Sequence, residues 1–249
     1  MPYGMYISAA GALAQSQRLE VITNNLANVD TPGFKRDFAI LQAEHSHDIQ
    51  QGLEVAGSKS VNDIGGGVAV ASTLTDFSDG ILKPTGVDSD LAIDGEGFFK
   101  VERDGKELLT RSGNFHFSSD GRLLTHQGDR VLAADGSGVT INSTLPWHLL
   151  ENGVIEQQGE RIPLAIVKPQ SIGDLVKVGT NYFLPLAETV PAGPDTRVLS
   201  GYIESSAVRP AEEMMQMIEA QRAYEANVKL IQNQDSMIGS LVTRILRQS

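Results

Sequence analysis

Apolar residues recur with a helical period at the two ends of the chain and with a strand-like period between them. Near the C-terminus Met217, Tyr224, Ile231, Ile238 and Ile245 fall every seven residues, with Met214, Val228 and Val242 on an adjoining row that Gln221 and Asp235 interrupt. Near the N-terminus Met5, Ala12, Leu19 and Leu26 form one row and Ser8, Gln15, Ile22 and Val29 the next. Stripes this narrow suit a seam between helices, whereas a helix covering a globular core carries a wider apolar face. The spacing predicts a first helix that starts near residues 2–6 and ends by Asn28, because Pro32 disfavours α geometry at Thr31 and Pro32-Gly33 fits the centre of a type II turn. It predicts a second helix from Ala211 to about Leu246, with Pro210 in the first turn, Glu212 and Glu213 at the positive end, and Arg244 and Arg247 at the negative end.

Between Phe38 and Ser200 the helical period disappears and short apolar runs alternate with turns. The pairs Asp104-Gly105, Asp120-Gly121 and Asp135-Gly136 follow one another at 15 to 16 residue spacing. Asp-Gly tolerates the positive φ values of tight hairpins, so the pattern predicts an antiparallel unit built from hairpins. Residues 42–67, polar and containing Gly65-Gly66-Gly67, read as a poorly packed connector, and residues 188–196, with Pro191 and Pro194, as the exit from the β-unit. The expected fold class is mixed α and β: long N- and C-terminal helices forming a coiled-coil-like α domain, with a mostly antiparallel β central domain. The expected segments are 1–33 and 201–249 for the helical domain, 34–78 for an extended connector, and 79–200 for the β-rich domain.

One intramolecular helix pair buries too little to offset the entropy of ordering two such long segments. Both ends are therefore expected to be largely disordered in a free subunit and to order when neighbouring copies complete the bundle.

Composition narrows the chemistry. The net charge of -11, with no run of basic residues, speaks against a nucleic-acid partner. The absence of cysteine removes disulfides, thiolate metal sites and cysteine nucleophiles. The first 14 residues lack both a basic region and a sustained apolar region, so no cleaved signal peptide is expected, and no stretch is long enough for direct membrane insertion.

Candidate chemistry is sparse. His45, His47 and Asp48, with Glu44, are the one cluster of metal-ligand types, but their spacing fits no zinc or calcium pattern and they read as a solvated loop. Asp76, Asp79, Asp88, Asp90 and Asp94 sit near turns, where Asp is a turn former, although paired carboxylates could serve glycoside hydrolysis. Gly95-Glu96-Gly97 begins like a dinucleotide fingerprint, but Lys100 takes the place of the third glycine and no helix follows. No catalytic residue, metal or cofactor is expected, and the chain reads as non-enzymatic. Asn24, Asn25 and Asn28 either cap and fray the first helix or bond neighbouring subunits through their amides.

Three motifs carry a family resemblance. Asn24-Asn25-Leu26-Ala27-Asn28 followed by Thr31-Pro32-Gly33-Phe34-Lys35-Arg36 resembles the N-terminal signature of bacterial flagellar rod and hook proteins. Leu91-Ala92-Ile93-Asp94-Gly95-Glu96-Gly97-Phe98-Phe99 resembles their central β-domain motif. Gly201-Tyr202-Ile203-Glu204-Ser205-Ser206, with Val208 and Pro210, and then residues 217–227, Met-Ile-Glu-Ala-Gln-Arg-Ala-Tyr-Glu-Ala-Asn, resemble their C-terminal signature. The resemblance implies a basal-body rod subunit, proximal or distal, whose terminal helices polymerise helically around a central export channel and transmit torque from motor to hook. The partners it implies are copies of the chain, other rod subunits, hook protein, the flagellar type III export apparatus and the basal-body rings. On this reading the subunit interface is carried by Leu19, Ile22, Asn24, Asn25, Leu26, Asn28, Met217, Gln221, Tyr224, Val228, Ile231, Ile238 and Ile245. Two other classes stay open: an extracytoplasmic β-rich module that binds glycan or protein, with helical oligomerisation ends, and an enzyme using the acids between Asp76 and Asp94.

Overall fold

The backbone preferences of Pro32 and Gly33 end the first helix. In a computed structural model, which describes residues 3–45, 49, 51–53, 55, 57–58, 65–142 and 145–248, helix α1 spans Tyr3–Ala27. The Thr31 carbonyl then accepts from the Phe34 N–H at 3.3 Å, and Gly33 sits at φ +66°. That is the type II turn expected of Pro-Gly. A Cβ at Gly33 would lie 2.4 Å from the Ser112 nitrogen, so no other residue fits there without moving backbone. The second helix, α2, spans Pro210–Gln248, with Glu212 and Glu213 in its first turn.

The chain divides into two compact units. The first holds α1, α2 and a two-stranded ribbon of β1 (Asp37–Glu44) and β2 (Gly67–Thr75). The ribbon runs antiparallel from Asp37 opposite Thr75 to Glu44 opposite Gly67, with a bulge at Ile40/Leu41. It falls in the stretch 34–78, where an extended connector was expected. The ribbon lies against α1: a Cβ at Gly67 would touch the Ala10 methyl at 3.0 Å, and the Tyr3 hydroxyl donates to the Gly65 carbonyl at 2.6 Å. Ala14 is buried on α1.

The second unit comprises residues 28–36 and 77–208 and is built of short antiparallel strands. They are β3 (Leu82–Pro84), β4 (Leu91–Asp94), β5 (Phe98–Arg103), β6 (Lys106–Thr110), β7 (Phe115–Phe117), β8 (Leu123–Thr125), β9 (Arg130–Val131), β10 (His148–Leu150), β11 (Val154–Gln157), β12 (Glu160–Pro163), β13 (Ile166–Pro169), β14 (Leu175–Val178), β15 (Tyr182–Pro185), β16 (Thr189–Pro191), β17 (Arg197–Ser200) and β18 (Tyr202–Glu204). The main sheet runs β14-β15-β6-β5-β9-β8-β7, with β13 pairing both β5 and β16. A three-stranded sheet, β10-β11-β12, and the pairs β17-β4 and β18-β3 complete it. The central region is thus antiparallel β between two helical ends, a mixed α and β fold.

All three Asp-Gly pairs lie at chain reversals. Asp104 (φ 51°) and Gly105 (φ 72°) form the two-residue turn of the β5–β6 hairpin. Gly121 and Gly136 take the left-handed position that closes longer loops. A second turn of the first kind, Gln158-Gly159 between β11 and β12, escapes the Asp-Gly rule because Gln supplies the first positive φ. The core gathers Leu91, Ile93, Phe99, Val101, Leu123, Val131, Ile155, Tyr182 and Val198, with Phe99 edge-on to Phe115 at 5.1 Å.

Candidate functional site: the helix pair and a buried charge cluster

Helices α1 and α2 pack antiparallel through small and polar side chains. A Cβ on Gly4 would come within 2.8 Å of Gln234 Nε2, and one on Gly11 within 3.0 Å of Asn227 Oδ1. Two residues before the end of α1, Asn25 Nδ2 donates to Glu213 Oε2 at 3.4 Å. These pairs step by equal numbers of residues along the two helices, so they share one register. Glu213, Ala220, Asn227 and Gln234 are therefore the row of α2 that faces α1, and Ala220 and Glu213 are fully buried.

The predicted heptad row flanks this contact. Met217, Val228, Ile231 and Ile238 are half-buried, while Tyr224 is 38 % and Ile245 67 % exposed. Gln221 is exposed and donates to Glu225 along the helix at 3.4 Å. On α1, Ile22 is buried and Leu19 and Leu26 are half-buried. The shift has a physical cause: Gly4 and Gly11 offer hollows that the tips of Gln234 and Asn227 fill, so the apolar row is turned to the side. Met214, Met215, Ile218, Leu230, Met237, Leu241 and Val242 are exposed as well. Heptad spacing was the only signal for the seam, and without apolar side chains it did not stand out.

Of the three asparagines, Asn25 is spent within the chain. Its Nδ2 donates to the Asp37 carbonyl at 2.8 Å and its Oδ1 accepts from the Asp37 N–H at 3.0 Å, so its amide pairs with β1 as a strand residue would. The Thr75 hydroxyl holds the Asp37 carboxylate at 2.7 Å. Asn28 is buried and accepts from the Thr31 hydroxyl at 3.1 Å, whereas Asn24 is exposed.

A feature that sequence reasoning missed lies inside the second unit. Lys35 and Glu204, both buried, form an ion pair at 2.8 Å. Lys35 Nζ also donates to the Ser78 carbonyl at 2.8 Å, and Glu204 Oε1 accepts from the Gly80 N–H at 3.0 Å. Arg111 approaches the other Glu204 oxygen at 3.4 Å and donates to the carbonyls of Gly95 at 2.7 Å and Ile93 at 3.3 Å. Backbone bonds reinforce the cluster: Gly33 N–H to the Glu204 carbonyl at 2.9 Å, and Ala207 N–H to the Phe34 carbonyl at 3.0 Å. Lys177 caps the segment, its Nζ 4.1 Å from the centre of the Phe34 ring and bonded to the Lys35 carbonyl at 2.8 Å. The signal was available in retrospect, since Lys35 and Glu204 each sit inside a signature motif.

Beside Arg111 opens a cleft of about 580 Å³ lined by Phe77, Phe98, Asp79, Glu96, Lys168 and Ile172. Its acids are poor candidates for general acid catalysis, which needs a carboxyl shielded from solvent. Asp79 is solvent-exposed and lies 3.3 Å from Arg111, and Glu96 is exposed and lies 3.4 Å from Lys168. Among the described residues no three His, Cys, Asp or Glu side chains gather to hold a metal ion. His47 and Asp48 lie outside the described residues. No described helix is long and apolar enough to cross a membrane.

Comparison with known proteins covers both ends and the middle of the chain. Residues 5–35 match the family model described as flagella basal body rod protein, residues 92–171 that of the flagellar hook protein FlgE/F/G D1 domain, and residues 199–244 that of the flagellar basal body rod FlgEFG protein C-terminal region. Flagellar basal-body rod protein FlgF of Caulobacter vibrioides is 31 % identical, over 98 % of this chain and 98 % of that protein. Flagellar basal-body rod protein FlgG of Borreliella burgdorferi is 32 % identical over 96 % and 97 %, and FlgG of Buchnera aphidicola subsp. Schizaphis graminum 34 % identical over 95 % and 97 %.

Proposed function

Because the chain belongs to the flagellar basal-body rod protein family, we propose that it is a structural, non-catalytic subunit of the rod, polymerising helically through α1 and α2 around a central export channel. The observation that carries this reading is the division of labour on α2. Its small and polar row is used within the chain, while Met214, Met215, Ile218, Leu230, Met237, Leu241, Val242 and Ile245 are left exposed, more apolar surface than an isolated subunit needs. A coiled-coil-like bundle completed by neighbouring copies would cover them, with Leu19, Ile22, Leu26, Met217, Tyr224, Val228, Ile231, Ile238 and Ile245 as its seam and Asn24, Asn28 and Gln221 as polar contacts. Asn25 belongs to the same interface by holding α1 and β1 in place.

The same reading assigns the other partners: further rod subunits, hook protein, the type III export apparatus and the basal-body rings. Its location is the basal-body rod.

Ile231→Asp tests the proposal. A carboxylate buried in the seam has no partner, so the variant is expected to be made and to keep a folded β-unit, yet to be missing from isolated basal bodies. Normal incorporation of the variant would overturn the seam.

A further inference from the structure

Helix α2 outruns its partner. In the register set by Gly4, Gly11 and Asn25, the first residue of α1, Tyr3, stands opposite Asp235, yet α2 continues to Gln248. The excess is about 20 Å at 1.5 Å per residue. The chemistry of the α1-facing side changes where the overhang begins. Up to Gln234 it is Glu213, Ala220, Asn227 and Gln234; beyond it Ile238, Leu241, Val242 and Ile245 continue the same side. Leu241, Val242 and Ile245 are 58 %, 50 % and 67 % exposed. Residues 236–248 contain no acid, while Arg244 and Arg247 make them basic in a chain of net charge -11.

A receptor of matching chemistry lies in the same unit. A groove of about 290 Å³ runs between α1 and the β1–β2 ribbon, lined by Tyr6, Ala10, Leu13, Val68 and Ala69, with Glu44 as its charged member. Tyr6 is 53 % and Leu13 68 % exposed. Positions 6 and 13 lie roughly 160° around α1 from Gly4 and Gly11 at 3.6 residues per turn, so the subunit's own α2 does not cover them.

We propose that the α2 overhang of one copy docks in this groove of the next, Leu241 and Ile245 against Tyr6 and Leu13, and Arg244 against Glu44. The assignment deepens the rod reading and rests on it. Two observations commit the overhang to a second copy: its apolar face continues an interface already formed within the chain, and its positive charge meets the carboxylate in the groove. Docking within one chain is out of reach, because the α2 residue opposite Leu13 is Glu225, about 30 Å of helix away from Ile245. Donor and receptor are different surfaces, so every copy offers both and the contact propagates instead of closing as a dimer.

The chain has no cysteine, which makes disulfide trapping clean. Cells carrying Leu13→Cys/Ile245→Cys in place of the wild-type chain are used to isolate basal bodies, which are mildly oxidised and run without reductant. Linked dimers and higher multimers are expected from the double variant and not from either single variant. Independently, Arg244→Glu is expected to lower the subunit content of basal bodies about tenfold, and Arg244→Glu/Glu44→Arg to recover it; this pair decides alone should the cysteine variant fail to incorporate. Normal subunit content without linkage, and without an effect of Arg244→Glu, overturns this contact and leaves the rod reading intact. Absence of the wild-type chain from isolated basal bodies overturns the rod reading, and the contact with it.

Discussion

Lys35 is sealed from solvent, and a lysine so placed is tolerated because its ammonium bonds the Glu204 carboxylate and the Ser78 carbonyl, each at 2.8 Å, with the Asp79 carboxylate 3.7 Å away. Lys35→Met would leave Glu204 buried with Arg111 as its remaining cation, at the longer distance of 3.4 Å. The expected cost is about 3 kcal/mol to the β-unit, the usual scale for removing one partner of a buried pair. Trp147, the single tryptophan, packs edge-on against Phe117 at 5.2 Å in the same unit, so its fluorescence during urea unfolding reads the loss directly. An unchanged midpoint would show that the pair contributes nothing. A second residue-scale expectation concerns alkali. Burial pushes the Tyr182 phenol up to about 12, above the ordinary value near 10. A raised folded-state pKa means that the neutral phenol's contribution is complete below about pH 10 and is lost as pH rises through about 12. Thermal melts between those values should fall for the wild-type chain and stay flatter for Tyr182→Phe. On the acid side, burial works to raise the Asp129 pKa, but hydrogen bonds from Arg103 at 2.8 and 2.7 Å, together with Tyr182, hold it below the usual range.

At the scale of elements, the helix pair depends on two glycines. The contact at Gly11 is with the end of a flexible Asn227 side chain, so Gly11→Ala should be nearly neutral: it gains about 1 kcal/mol of helix propensity and displaces an amide slightly. Gly11→Leu should wedge the helices apart at a cost of about 1–3 kcal/mol. A lowered content of the Gly11→Leu chain in isolated basal bodies, with an unchanged Trp147 signal in the free chain, would check this, because the tryptophan belongs to the other unit. Element ends were readable from the chain because Pro32, Gly33 and Pro210 act locally through their own dihedrals. The hairpins were readable for the same reason, since Asp104-Gly105 needs no distant partner. Pairings such as β17 with β4 or β18 with β3 were not, because they join strands over a hundred residues apart and nothing local specifies them. The buried cluster hid for a different reason: Lys35, Arg111 and Glu204 are residue types whose ordinary place is solvent. Only their company, not their identity, makes them a core.

At the scale of the whole molecule, the exposed apolar side chains of α2 imply that the two units differ in how much they stabilise themselves. The β-unit has its own buried core, whereas the helices meet through glycine, alanine and amides. Hydrogen exchange on verified monomer is therefore expected to be fast along α1 and α2 and slow in the strands, with the helices becoming protected on assembly. Full protection of both helices in a dilute monomer would count against assembly-coupled ordering.

The distance along the chain between Lys35 and Glu204 has one more consequence. They are 169 residues apart, so the β-unit cannot be completed by any nascent thread that has not yet reached Glu204. A ribosome product cut short before Glu204 holds an unanswered positive charge where the clasp should shut, which makes premature closure unfavourable. Closure that waits for Glu204 keeps the β-unit open until nearly all of its own strands have been made.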